Sequence, residues 1–379
     1  MAAPQIPNLN TLRRGRIRGR GASRAVEDGH TTRPTAKDRV VQGTDNDASV
    51  SRLSAVELGY LNDPYAAALT PPGRTYVRTT AIDQLVDRFL GPYTPESGRR
   101  KKQIISLGAG SDTRIFRLLS SRQSSDIVYH ELDFPVNTAA KIRAILSTPL
   151  LQRVLGIDTG SDKVSVSEAG DALHSPSYHI HPLDLRSLGA NDSPSRILPG
   201  VDTKLPTLLI SECCLIYLSP IEAAQVVAFF TERLFGPATT TPKPDERSQN
   251  ILEATMPLGL VLYEPIRPDD PFGRTMVSNL ATRGIQLQTL HKYASLEAQR
   301  TRLREHGFTS NQAAADIDFI WERWVSEEEK ERVAGLEFLD EIEEWQLLAR
   351  HYCIAWGWRD GDDASIFKDW NSLSAQPGG

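Results

Sequence analysis

Asp112, Asp133, Asp184 and Glu212 each fall at or just after a short run of buried-strand character, and Leu107-Gly108-Ala109-Gly110 precedes the first of them. Two glycines between a strand and a helix let a ligand reach the backbone where side chains would block it. A tight turn uses the same residues, so the pair says little alone. Asp133 adds context, because it lies 23 residues beyond Gly110 at the end of the next strand. A carboxylate there accepts hydrogen bonds from a ribose diol. The third glycine of a dinucleotide fingerprint is replaced by Thr113, and no Gly-Lys-Ser/Thr phosphate loop occurs. Four acids at successive strand ends would repel a pyrophosphate. They suit a cationic ligand rich in donors, although each acid singly is equally a helix cap.

S-adenosylmethionine meets that description, with its sulfonium, ammonium, ribose diol and adenine amine. Metal chemistry finds less support: His179 and His181 share one side of a strand but lack a third ligand, so they read as structural. Cys213 and Cys214 are adjacent and Cys353 is distant, a set that builds neither a disulfide framework nor a zinc site. A reducing compartment, cytoplasmic or nuclear, is expected.

Strands must place the acids. Runs at 103–107, 127–133, 178–184 and 207–212 have strand character, and a fifth is expected to start at Ile251-Leu252-Glu253-Ala254. Helical patterns separate them. The clearest is Ser219-Pro220-Ile221-Glu222, a cap, a first-turn proline and a capping-box glutamate, with Ile221, Val226, Val227, Phe230 and Leu234 as its buried face. This alternation predicts an α/β fold, a mostly parallel sheet with helices on both faces and its ligand beyond the carboxyl ends of the strands. Two helices, near 49–56 and 74–90, precede the first strand and read as a lid. Tyr263 to Gly273 holds three prolines and is expected to be irregular. Strand-like stretches near 315–320 and 351–358 finish the fold.

The 379 residues are 40% hydrophobic and 24% charged, as in soluble globular proteins. No apolar run approaches the ~18 residues of a membrane span, and the N-terminus lacks a signal-peptide core. The net charge of -5 conceals a split: residues 1–40 carry +6 and the remainder -11. A basic tail on an acidic body is not the pattern of a uniformly basic nucleic-acid binder. Residues 1–44 show no period and are expected to be a disordered basic tail; 45–362 form one enlarged domain, and 363–379 a loose tail. The acidic run from Glu327 to Glu331 reads as a solvated helical face.

The stretches Asn46-Asp47-Ala48-Ser49, Asp63-Pro64-Tyr65, Leu107-Gly108-Ala109-Gly110-Ser111-Asp112-Thr113, Glu131-Leu132-Asp133-Phe134-Pro135, Asp184-Leu185-Arg186 and Ser211-Glu212-Cys213-Cys214-Leu215-Ile216-Tyr217-Leu218 occur in order along the chain. Together they resemble the leucine carboxyl methyltransferases. The resemblance implies a Rossmann-like class I S-adenosylmethionine-dependent methyltransferase fold with N-terminal helices and lid insertions. It implies a monomer that methylates the C-terminal leucine carboxylate of the protein phosphatase 2A catalytic subunit. By the same resemblance, cofactor contacts fall on Arg52, Arg78, Gly108, Asp133, Asp184, Leu185 and Glu212, with Arg74 as the alternative to Arg78. Arg78 and Tyr217 would align the substrate, and neither a general base nor a metal is required. Two other readings stay open: a transfer-RNA hypermodified-guanosine carboxyl methyltransferase, disfavoured because no propeller repeats follow, and a non-catalytic phosphatase-binding module.

Overall fold

The computed structural model describes residues 35–45, 55–69, 76–92, 101–121, 126–157, 164–189, 198–236, 255–336 and 342–378. Its strands are β1 (Lys102–Leu107), β2 (Ile127–Asp133), β3 (Ser165–Val166), β4 (Leu173–His174), β5 (Tyr178–Pro182), β6 (Thr207–Glu212), β7 (Leu258–Pro265), β8 (Asn311–Asp316) and β9 (Tyr352–Arg359). They form one nine-stranded sheet in the order β3-β4-β5-β2-β1-β6-β7-β9-β8. β5, β2, β1, β6 and β7 run parallel, while β9 inserts antiparallel between β7 and β8. Strand order reverses at β1, flanked by β2 and β6, and a ligand crevice opens at such a point.

Helices cover both faces. They are α1 (Ala36–Gln42), α2 (Ala66–Leu69), α3 (Tyr76–Leu90), α4 (Arg114–Ser121), α5 (Pro135–Ser147), α6 (Pro149–Leu155), α7 (Pro220–Ala228), α8 (Pro271–Thr282), α9 (Leu296–Glu305), α10 (Ile317–Trp324), α11 (Glu327–Ala334) and α12 (Ile342–Ala349). Because side chains alternate across a strand, Ile104 and Ile210 enter one core with α3 and α4, while Ile105 and Leu209 enter the other with α7 and α9. This is the expected Rossmann-like architecture, a mostly parallel sheet with helices on both faces.

Several sequence expectations need correction. β7 starts at Leu258 and continues through Pro265, and a helix starts at Pro271, so of the stretch from Tyr263 to Gly273 only 266–270 is irregular. The expected start at 251–254 lies outside the described residues. Ile221 is 72% exposed rather than buried: as the second residue of α7 it lies on the outer side, and Val226 and Val227 carry the packing. The Ser219–Glu222 capping box forms as expected. The stretch expected to be a strand at 315–320 switches to α10 after Asp316, which caps that helix through the Phe319 N–H. Residues 36–42, expected to lack structure, form α1.

The C-terminal segment is no loose tail. Phe367 and Trp370 are buried, Phe367 stacks on Phe89 at 5.2 Å, and the Trp370 indole donates to the Leu85 carbonyl at 2.9 Å. A Cβ on Gly259 would lie 2.6 Å from the Phe367 ring, so β7 needs glycine there to admit it. Isolated aromatic anchors leave no periodic signal, and such packing is invisible in one dimension.

Candidate active site

The carboxyl ends of β1, β2 and β6 open into a cavity of about 1040 Å³. Its base is the turn after β1. Gly108 has φ +64°, and a Cβ there would lie 2.5 Å from Cys214 Sγ, so only glycine fits. The Gly110 N–H donates to Asp133 Oδ2 at 2.7 Å, and Asp133 Oδ1 accepts from the Phe134 N–H at 2.7 Å and Asn137 Nδ2 at 2.9 Å. Burial pushes the Asp133 carboxyl up and these three donors pull it back, leaving it above its ordinary value.

Asp184 and Leu185 follow β5. The Asp184 carboxylate is held bidentately by Arg186, at 3.0 Å from Nε and 2.6 Å from Nη2. Arg186 Nη2 also meets Asp38 of α1 at 2.9 Å. Asp45, just past α1, accepts from the Ser111 N–H at 2.8 Å and its hydroxyl at 2.9 Å. The segment expected to be a free tail, residues 1–44, therefore reaches the loop after β5 through Asp38, and Asp45 directly after it reaches the glycine turn.

Glu212 ends β6. Its Oε1 accepts from Arg114 Nη2 at 2.9 Å, and its Oε2 lies 3.3 Å from Arg78 Nε. Arg114 is buried and also pairs with Asp112 at 2.5 Å and Asp83 at 2.9 Å. The acids expected to suit a cationic ligand thus have cations of the protein beside them. Arg78 comes from α3, Arg114 from α4 and Arg186 from the loop after β5, and together they balance three of the four carboxylates. Sequence reading named Arg78 as a cofactor contact but anticipated neither its pairing with Glu212 nor that of Arg114.

After β6 the chain turns through Cys213, a non-glycine residue at φ +47° whose N–H donates to the Tyr263 carbonyl at 2.8 Å. Strain of this kind gathers at functional sites. Burial pushes the Cys213 thiol up to about 12 and Cys214 well above its ordinary value, so neither is a thiolate nucleophile near neutral pH. Tyr217 follows and lines the cavity.

The far half of the cavity is aromatic. Tyr263 and Tyr352 stack at 5.4 Å and 16°, and the Arg78 guanidinium lies 5.1 Å above the Tyr263 ring. Trp321 and Trp345 meet edge to face at 5.7 Å beyond them. The acidic helix α11 is only partly a solvated face: Glu329 accepts from the Tyr76 hydroxyl, and Arg332 donates to the carbonyls of Gly59 (2.7 Å) and Tyr60 (3.2 Å). These bonds fasten α11 beside the cavity.

Of the sequence-derived candidates, Arg78, Gly108, Asp133, Asp184, Leu185, Glu212 and Tyr217 all line this cavity. Arg52 and Arg74 lie outside the described residues. Sequence reading missed Arg114, Asp45, Tyr352, Trp321 and Trp345. The first two had a signal, since Arg114 directly follows Asp112-Thr113 and Asp45 adjoins Asn46-Asp47. The aromatic residues had none, being brought together from separate elements.

The leucine carboxyl methyltransferase family model matches residues 22–231, which hold the glycine turn and β1 through β6. An Aspergillus fumigatus protein named leucine carboxyl methyltransferase 1 is 61% identical over 420 residues, covering 100% of both chains. The chain belongs to the leucine carboxyl methyltransferase family. The Emericella nidulans protein of the same name is 63% identical, covering 99% of each chain, and that of Schizosaccharomyces pombe is 38% identical, covering 88% of this chain and 96% of its own. The fold and the family agree that this protein is a methyltransferase. Among the described residues, no group of three or more His, Cys, Asp or Glu side chains is arranged to hold a metal ion.

Proposed function

We propose that this protein transfers a methyl group from S-adenosylmethionine to the α-carboxylate of the C-terminal leucine of the protein phosphatase 2A catalytic subunit. The resulting methyl ester would regulate assembly of the phosphatase holoenzyme. The observation that carries the reading is the Arg78–Glu212 pair, which stands between a polar half and an aromatic half of one cavity.

The residues fit the cofactor. Arg78 Nε and Glu212 Oε2 are buried and make no hydrogen bond although they form an ion pair, which leaves them donor and acceptor capacity for an amino-acid carboxylate and ammonium. Asp133 would hold the ribose hydroxyls, Asp184 and Leu185 the adenine, and the Gly108 turn gives backbone access. S-adenosylmethionine, when bound, supplies an electrophilic methyl group.

The acceptor needs little help from acid or base. A C-terminal carboxylate has an ordinary pKa of about 3.3 to 3.7, so it is already an anion at neutral pH. The protein's task reduces to alignment and exclusion of water. Arg78 and Tyr217 line the cavity and would orient the acceptor, while the walls of Tyr263, Tyr352, Trp321 and Trp345 would suit an apolar terminal side chain. We place the reaction in the cytoplasm and nucleus, in keeping with three free cysteines. No helix among the described residues is long and apolar enough to cross a membrane.

Purified protein should move labelled methyl from S-adenosylmethionine to the phosphatase as a base-labile ester, and deleting the acceptor's terminal leucine should abolish transfer. Continued labelling of the truncated acceptor would sink the assignment. Labelling of transfer RNA instead would favour the nucleic-acid relative, and phosphatase binding without transfer a non-catalytic module.

A further inference from the structure

We propose that Arg114 is the positioning residue that keeps the Arg78–Glu212 pair open for the amino-acid end of S-adenosylmethionine. The inference rests on the cofactor reading above and gives a role to a residue outside the cavity wall.

Arg114 opens α4, and its side chain is 1% exposed. Arg78, Asp112 and Glu212 line the cavity, whereas Arg114 is not among its lining residues. It can act on a ligand only through the groups it holds.

Those groups are three carboxylates from three elements. Nε donates to Asp83 Oδ1 of α3 at 2.9 Å, Nη1 to Asp112 Oδ2 of the glycine turn at 2.5 Å, and Nη2 to Glu212 Oε1 of β6 at 2.9 Å. A guanidinium presents its donors in a rigid planar fork, so it meets these acceptors at set angles; a lysine ammonium on its flexible stem does not. Two of the three anchors are fixed in turn. Asp83 also accepts from Arg117, three residues further along α4. Asp112 Oδ1 accepts from the Arg114 backbone N–H at 3.1 Å.

This anchoring decides how Glu212 meets Arg78. An arginine and a carboxylate often close fork to fork through two parallel N–H···O bonds. Here Arg114 takes Oε1, so Oε2 faces Arg78 Nε at 3.3 Å, and neither of those atoms makes a hydrogen bond. Among the described residues, Arg78 and Arg114 are the cations paired with Glu212. Without the Arg114 fork, Glu212 can turn both oxygens to Arg78. The two groups that would take the ligand's ammonium and carboxylate then satisfy each other. Asp133 is held by the Gly110 N–H, the Phe134 N–H and Asn137, and Asp184 by Arg186, all independently of Arg114. Disturbing Arg114 should therefore weaken the amino-acid end of the cofactor and spare the adenosine end.

The test is calorimetry on the full-length protein with two probes. S-adenosylhomocysteine carries the amino-acid end; 5′-methylthioadenosine shares the adenosine and lacks that end. Arg114→Lys should raise the Kd for S-adenosylhomocysteine about 10- to 150-fold, the range of one charge-assisted hydrogen bond, and leave that for methylthioadenosine within about 2-fold. Asp83→Asn withdraws an anchor of Arg114 from outside the cavity and should give the same split with a smaller ratio; it also serves if Arg114→Lys fails to fold. In a Glu212→Gln background, Arg114→Lys should add little further loss, because residues in one ion-pair network couple. An unchanged Kd for S-adenosylhomocysteine, equal weakening of both probes, or full additivity with Glu212→Gln overturns the positioning role and leaves the cofactor reading standing. Folded wild-type protein that binds neither probe overturns the cofactor reading and the proposal with it.

Discussion

Arg78 Nε lies 3.3 Å from Glu212 Oε2, and neither atom makes a hydrogen bond in the described structure. Glu212 also holds the buried Arg114. Glu212→Ala should therefore leave two guanidinium groups short of a partner. We expect a loss of about 3 to 5 kcal/mol in stability, the usual result of breaking a buried pair from one side. Denaturant unfolding measures it, and a change below 1 kcal/mol would mean that solvent already screens the pair.

Asp133→Ala should weaken S-adenosylhomocysteine binding by about 1.5 to 3 kcal/mol for each charge-assisted hydrogen bond lost to the ribose. Calorimetry reads this directly. Affinity equal to wild type would show that the ribose sits elsewhere.

Gly108→Ala places a methyl 2.5 Å from Cys214 Sγ at a backbone φ of +64°. Overpacking of this kind costs about 1 to 3 kcal/mol, and the left-handed backbone adds to it. Melting temperature should fall, and Gly108→Ala with Cys214→Ala should recover part of the loss. No recovery in the double variant would assign the whole effect to the backbone.

Four histidines gather on β2, β4 and β5. His130 Nδ1 lies 3.0 Å from His181 Nε2, and His174 Nδ1 lies 3.1 Å from His179 Nδ1. Burial lowers all four; His179 falls to about 4 and His181 to about 3. A lowered imidazole refuses a proton that the unfolded chain accepts, so stability should fall as pH drops below about 6.5 and continue falling towards pH 3. Melting temperatures from pH 7 to 4 should decline less steeply for His179→Gln than for wild type. Parallel declines would place the acid sensitivity elsewhere.

Trp370 is buried and donates to the Leu85 carbonyl at 2.9 Å. Trp370→Ala should cost about 3 to 5 kcal/mol, and removal of residues 363–379 should prevent stable folding. A truncated protein with a wild-type unfolding curve would contradict the packing seen on β7.

The strand-end motifs were legible because they are local. The glycine turn, Asp133, Asp184 and Glu212 each sit at a fixed step from a hydrophobic run, and a parallel sheet carries all such ends to one side. The capping box of α7 was legible for the same reason. Less local features were misread. Phe367 and Trp370 have no period, and residues 36–42 show too short a pattern to mark α1.

The sequence by itself determined the α/β order, the family and most of the polar site, since these depend on spacing along the chain. Only the tertiary structure decided the charge of that site. Three of its four acids are balanced by Arg78, Arg114 and Arg186, and helix packing rather than chain proximity brings Arg78 and Arg114 to Glu212. The aromatic half is likewise a property of folding, because Tyr263 and Tyr352 stack only once β9 pairs beside β7.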